Sequence, residues 1–85
     1  MLTHSVDPFY PQAAKSGGVQ GAVVMFAVIG SDGAVKDMHV LDGHPWLVPA
    51  AMAAVKQWRY RPYVLNGRAV EFQTTITEHF SLSPY

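Results

Sequence analysis

Between residues 70 and 80 the chain alternates with a period of two. Even positions carry Val70, Phe72, Thr74, Ile76 and Phe80, and odd positions carry Glu71, Gln73, Thr75, Thr77 and His79. That period belongs to a half-buried strand, with one face against a core and the other against water. Only Thr74 and Glu78 soften the apolar side. The threonines suit a pleated surface because β-branching already restricts χ1. Such a strand demands at least one further layer to cover its apolar face. Just upstream, the run Trp58-Arg59-Tyr60-Arg61-Pro62 and the turn pair Asn66-Gly67 lead into it.

The rest of the chain supplies that layer within one domain, since 85 residues bury only roughly 60 to 65% of the unfolded surface. Residues 1–9 have no periodicity and read as a flexible lead-in, with residues 10–85 as the folded domain. Pro11 suits the first turn of a helix over residues 11–16, which Gly17-Gly18 ends. After Gly21, the Val- and Ile-rich run 22–29 reads as a central strand, covered on both faces or on one face and by a dimer contact. Asp32-Gly33 marks a hairpin leading to a strand over residues 34–41, where Met38 and Val40 alternate less cleanly with Asp37 and His39. Residues 45–58 place Leu47, Ala51, Ala54, Val55 and Trp58 near a 3.6-residue spacing, an amphipathic helix whose regular part starts near Pro49. Pro62 then redirects the chain into residues 63–65. The expected fold is α+β: a three-stranded antiparallel sheet with a long helix packed on one face and a short N-terminal helix.

Composition narrows the function. A formal charge of zero removes the electrostatic footprint of a nucleic-acid binder. With 49% hydrophobic and 14% charged residues, the chain is globular and leaves apolar surface for a partner, including a second copy. Without cysteine there is neither a disulfide framework nor thiolate chemistry, which fits cytoplasm and periplasm alike. The longest apolar run has about half the length of a membrane-spanning helix, and the N-terminus lacks the pattern of an export signal. The chain as given is therefore expected to be soluble, with any anchor outside it.

No catalytic constellation emerges. The serines lie in expected loops and termini, outside any Gly-x-Ser-x-Gly elbow. Asp32 and Asp42 suit turns, and Asp37 a solvated strand position. His4, His39, His44 and His79 show no metal-ligand spacing, although His39 and His79 would become neighbours if their strands paired. Trp58, Tyr60 and Tyr63 could form a cation cage, but aromatics where a helix meets a sheet more often belong to the core, with Arg59 and Arg61 solvated between them. No enzyme activity, cofactor or metal is expected. The strand over 70–80 offers something else: at a sheet edge its backbone groups are a template for an extended peptide. A second copy of the domain, or residues 63–65, could equally cover that edge, and pattern alone does not choose.

Five elements in order carry a resemblance: Tyr10-Pro11 opening the short helix, Gly21 before the apolar strand, Asp32-Gly33 in the hairpin, Gly43-His44-Pro45 before the alanine-rich helix, and Trp58-Arg59-Tyr60-Arg61-Pro62 closing it. Together they resemble the C-terminal domain of TonB-type energy transducers over nearly the whole chain. The resemblance implies a periplasmic domain whose full-length protein is anchored in the inner membrane and works with an ExbB–ExbD-like complex. It further implies that the final strand pairs with the TonB box of outer-membrane transporters and that pulling admits scarce nutrients such as iron chelates. On this sequence the pairing residues would be Val70, Glu71, Phe72, Gln73, Thr74, Thr75, Ile76 and Thr77. Lys15 occupies the place of a helix-1 glutamine implicated in transporter contact. Similar domains also occur as structural or sensory appendages of other envelope proteins, a reading in which the same edge dimerises.

Overall fold

The computed structural model describes residues 1–82. In chain order its elements are β1 (Leu2–His4), α1 (Gln12–Ser16), β2 (Gly21–Ile29), β3 (Val35–Asp42), α2 (Val48–Val55), β4 (Arg59–Tyr60), β5 (Tyr63–Leu65), β6 (Arg68–Val70) and β7 (Phe72–Phe80). The main sheet is antiparallel with order β3-β2-β7, and two small two-stranded sheets, β1-β4 and β5-β6, stand beside it.

β2 is central because it is apolar on both faces. Val23, Met25, Ala27 and Ile29 are buried on the inner face, while Ala22, Val24, Phe26 and Val28 are half-buried on the outer one. On β7 the expected alternation holds, with Phe72, Thr74, Ile76, Glu78 and Phe80 inward and Gln73, Thr75, Thr77 and His79 exposed. The weaker pattern of β3 has a geometric cause. Val28 pairs with Asp37 but Ile29 with Val35, and Met25 pairs with Val40 but Val24 with Asp42. Lys36 and Leu41 are thus extra residues, bulges that reset which side chain faces the core.

α2 covers the inner face through Ala50, Ala51, Ala54 and Val55, with Leu47 buried just before it. Their small volume lets the helix lie close to the sheet. The long helix expected over residues 45–58 is shortened to eight residues. At its start, Leu47 and Val48 both donate their N–H to the His44 carbonyl, in a turn rather than a helix, and Pro49 has no N–H to satisfy. Among the described residues no side chain caps this end. At the other end Gln57 and Trp58 bond back to Ala54 and Val55 over three residues, a tightening that closes the helix. The short helix is as expected apart from Pro11, which sits just outside it and accepts the Lys15 N–H on its carbonyl at 3.0 Å.

Two further expectations change. Residues 2–4, read as lead-in, form β1 against β4, and Thr3 Oγ1 donates to the Arg59 carbonyl at 3.1 Å. Backbone pairing of three exposed residues leaves no periodicity to read. The single strand expected over 70–80 is two: Val70 ends β6, opposite Tyr63, and Glu71 lies outside both strands. The chain must leave the β5-β6 hairpin before joining β2, and Glu71 makes that bend.

Candidate functional site

β7 pairs with β2 along its whole length, from Phe72 opposite Ile29 to Phe80 opposite Gly21. Its other side has no strand partner among the described residues. Residues 63–65, one candidate cover, pair instead with β6. β7 is therefore an edge of nine residues, about 30 Å long, on which alternate backbone N–H and C=O groups point outward.

The two ends of the edge differ. At one end the Phe72 ring meets Tyr60 edge-on at 5.7 Å and Tyr63 at 6.1 Å. There Met1, Arg61, Pro62, Tyr63 and Phe72 line an open cavity of about 310 Å³ with mainly apolar walls. At the other end Phe80 is buried against Tyr10 at 5.4 Å, and the Tyr10 hydroxyl donates to the Val19 carbonyl, tying the segment after α1 to this corner. Between them Glu78 is 9% exposed on the inner face. Burial raises its pKa, Asp7 adds to the rise, and His79 partly opposes it.

Of the residues expected to capture a peptide, Phe72, Gln73, Thr74, Thr75, Ile76 and Thr77 lie together on β7. Val70 and Glu71 do not; Glu71 is ion-paired to Lys36 across the end of β2. Lys15 is exposed in the last turn of α1, toward the Phe80 end. The remaining motif residues hold the frame. Pro11 precedes α1, and Gly21 begins β2 opposite Phe80. Asp32 Oδ1 accepts the Ala34 N–H at 3.0 Å, and Gly33 packs where a Cβ would fall 2.0 Å from the Tyr60 carbonyl oxygen. Trp58 Nε1 donates to the Val6 carbonyl at 3.0 Å. Arg59 donates to the Trp58 carbonyl at 2.8 Å, Tyr60 meets Phe72, and Pro62 walls the cavity.

His39 and His79 are on opposite outer strands, facing Phe26 and Ala22 with β2 between them. They are not neighbours, and no group of three or more metal-ligating side chains gathers among the described residues. Trp58, Tyr60 and Tyr63 do not converge either, since Trp58 turns to Val6 while the tyrosines meet at Phe72. The cavity at Phe72 went unread in the sequence because it depends on how β4 and β5 fold back. The inward-facing Glu78 was visible as a carboxylate on the even face.

These features define a class: a small α+β domain whose last strand forms an open sheet edge. Residues 6–82 match the family described as Gram-negative bacterial TonB protein C-terminal. Protein TonB of Pseudomonas aeruginosa is 35% identical over 81 residues, covering 88% of this chain and 22% of that protein. Protein TonB of Vibrio cholerae is 29% identical over 84 residues, covering 96% of this chain and 34% of that protein. The solution NMR structure of the Pseudomonas aeruginosa TonB C-terminal domain superposes with a TM-score of 0.81 at 29% identity, covering 100% of this chain and 88% of that one. The chain belongs to the TonB C-terminal domain family. It spans between about a fifth and a third of these two curated relatives. No helix among the described residues is long and apolar enough to cross a membrane.

Proposed function

We propose that this domain is the periplasmic end of a TonB-type energy transducer and captures an extended peptide by strand addition along β7. The occupant is the TonB box of a TonB-dependent outer-membrane transporter. An inner-membrane anchor and an ExbB–ExbD-like complex act through parts of the protein outside this chain, and proton-motive pulling on the captured strand admits nutrients such as iron chelates. The domain itself is a grip rather than an enzyme. One observation carries this reading: the nine-residue edge of β7, paired with β2 on one side and without a strand partner on the other among the described residues.

The physics suits the task. A strand added to an edge is held through its backbone, so transporters of differing sequence can be served by one surface. Five or six backbone bonds at about 0.5 to 1.5 kcal/mol net give several kcal/mol, which corresponds to micromolar binding once side-chain contacts add to it. Lys15, exposed in the last turn of α1, is on this reading the side chain that touches the transporter beyond the captured segment.

A second reading is homodimerisation through the same edge, as in a structural or sensory appendage. The half-buried apolar outer face of β2, at Val24, Phe26 and Val28, favours it. Disulfide trapping separates the two, because the chain has no cysteine of its own. Single cysteines at Gln73, Thr75 and Thr77, and at His39 on the opposite edge as a control, are mixed with a cysteine-bearing N-terminal transporter peptide from the same organism. Capture predicts register-dependent cross-links at the β7 positions and none at His39. Cross-linked homodimers without peptide adducts would favour the second reading.

A further inference from the structure

The cavity at the Phe72 end of the edge gives strand capture a side-chain preference. In paired strands, residues directly opposite one another place their side chains on the same face, with Cβ atoms about 4.5 to 5.5 Å apart. Phe72 faces inward, so a peptide residue paired with it also faces inward. There it meets the cavity walled by Tyr63, Pro62 and Arg61. Its volume of about 310 Å³ is roughly ten times the share of one water in the liquid, room for a whole side chain. Opposite the outward residues Gln73, Thr75 and Thr77 the peptide meets only exposed polar groups.

Charge adds a second preference. Among the described residues Arg61, which lines the cavity, has no carboxylate within ion-pair distance; of the acids at this end Glu71 is held by Lys36, and Asp32 accepts the Ala34 N–H in the β2-β3 turn. The Arg61 guanidinium therefore borders an apolar hollow without an ion-pair partner among the described residues.

We propose that the cavity formed by Met1, Arg61, Pro62, Tyr63 and Phe72 is a specificity subsite for the captured strand. It takes a large aliphatic or aromatic side chain opposite Phe72, with an acidic residue adjoining it. This rests on the strand-capture reading and deepens it: the backbone of β7 supplies general affinity, and the corner sets register and preference.

The test uses the acetylated, amidated peptide Glu-Leu-Thr-Val-Thr-Val-Thr-Val-Thr and its reversed sequence, which covers both strand directions. Each is compared with the same peptide carrying Ala for Leu or Gln for Glu. Backbone amide shifts along β7 report capture, and calorimetric dissociation constants report the subsite. The Leu peptide should bind about tenfold more tightly than the Ala peptide, and Glu should be favoured over Gln by about threefold at low salt. Tyr63→Ala, at an exposed position, should erase the Leu preference while β7 amides still shift. Arg61→Gln should erase only the Glu preference. Equal affinities for the Leu and Ala peptides, with β7 amides shifting, would overturn the subsite and leave capture standing. A Leu preference that survives Tyr63→Ala would also overturn it. If no peptide moves any β7 amide, capture fails and the subsite with it.

Discussion

Two hairpins of this domain reverse on an Xaa-Gly pair and have opposite fates. The β2-β3 hairpin turns at Asp32-Gly33 and becomes the frame of the core, with Met25, Ala27 and Ile29 fully buried on β2. The β5-β6 hairpin turns at Asn66-Gly67, both at positive φ (53° and 77°), closes three residue pairs, and leaves Tyr63, Val64 and Leu65 at least half exposed. Both turns share a glycine at positive φ, although only Asn66 joins its glycine there, so the glycine cannot be what separates them. The difference is what packs against each: α2 on the inner face of one, and no buried core under the other. A turn signal states where a chain reverses, and burial decides what the reversal contributes to stability.

That contrast can be broken by mutation. Met25→Ala should cost the most, about 2 to 5 kcal/mol in chemical denaturation, because a fully buried side chain leaves a cavity at the centre of the sheet. Val64→Ala, the matching truncation on the exposed hairpin, should stay within about 0.5 kcal/mol. A cost for Val64→Ala near that of Met25→Ala would mean that the hairpin is buried in solution, as in a dimer.

The glycines sharpen the same point at smaller scale. Gly33→Ala combines positive φ (87°) with a Cβ 2.0 Å from the Tyr60 carbonyl oxygen, so β4 must move. A loss of about 2 to 3 kcal/mol is expected by thermal melting. Gly67→Ala meets nothing within 4 Å and carries only the left-handed strain, about 1 kcal/mol. Equal losses would remove Tyr60 as the reason for glycine at position 33.

The smallest expected effect belongs to Glu78. Its pKa is raised in the fold above the ordinary 4.5, so the folded state holds its proton more tightly than the unfolded chain does. Its contribution to stability is full below pH 4.5 and is lost as pH rises through the higher folded value. Glu78→Gln removes this titration. It should raise the melting temperature slightly at pH 7 and leave it unchanged near pH 4, and a gain confined to acid pH would reverse the sign.

Much of this frame was legible in the chain. The period of two on β7, the Asp-Gly and Asn-Gly turns and the stripe on α2 are local patterns, each visible within a dozen residues. The illegible parts depend on contacts distant in sequence. β1 exists because residues 2–4 meet Arg59 and Tyr60, and the bulges at Lys36 and Leu41 exist because β2 sets the register. The split at Glu71 hid inside an alternation that runs unbroken through two strands with different partners. The edge itself could be read only as one of several alternatives, since openness is a property of the whole sheet. The cavity at Phe72 joins residues from the Arg61-Pro62 turn, β5, β7 and Met1, and no local pattern announces it.

Amide hydrogen exchange on β7, with and without an N-terminal transporter peptide from the same organism, tests the central claim most directly. In the free domain the β7 amides that point away from β2 should exchange quickly, while those bonded to β2 are protected. Peptide at saturating concentration should slow the outward set between Phe72 and Thr77 and leave the amides of β3 unchanged. Protection of β3 instead, or an outward set already protected in a monomeric domain without peptide, would contradict an open edge that captures a strand.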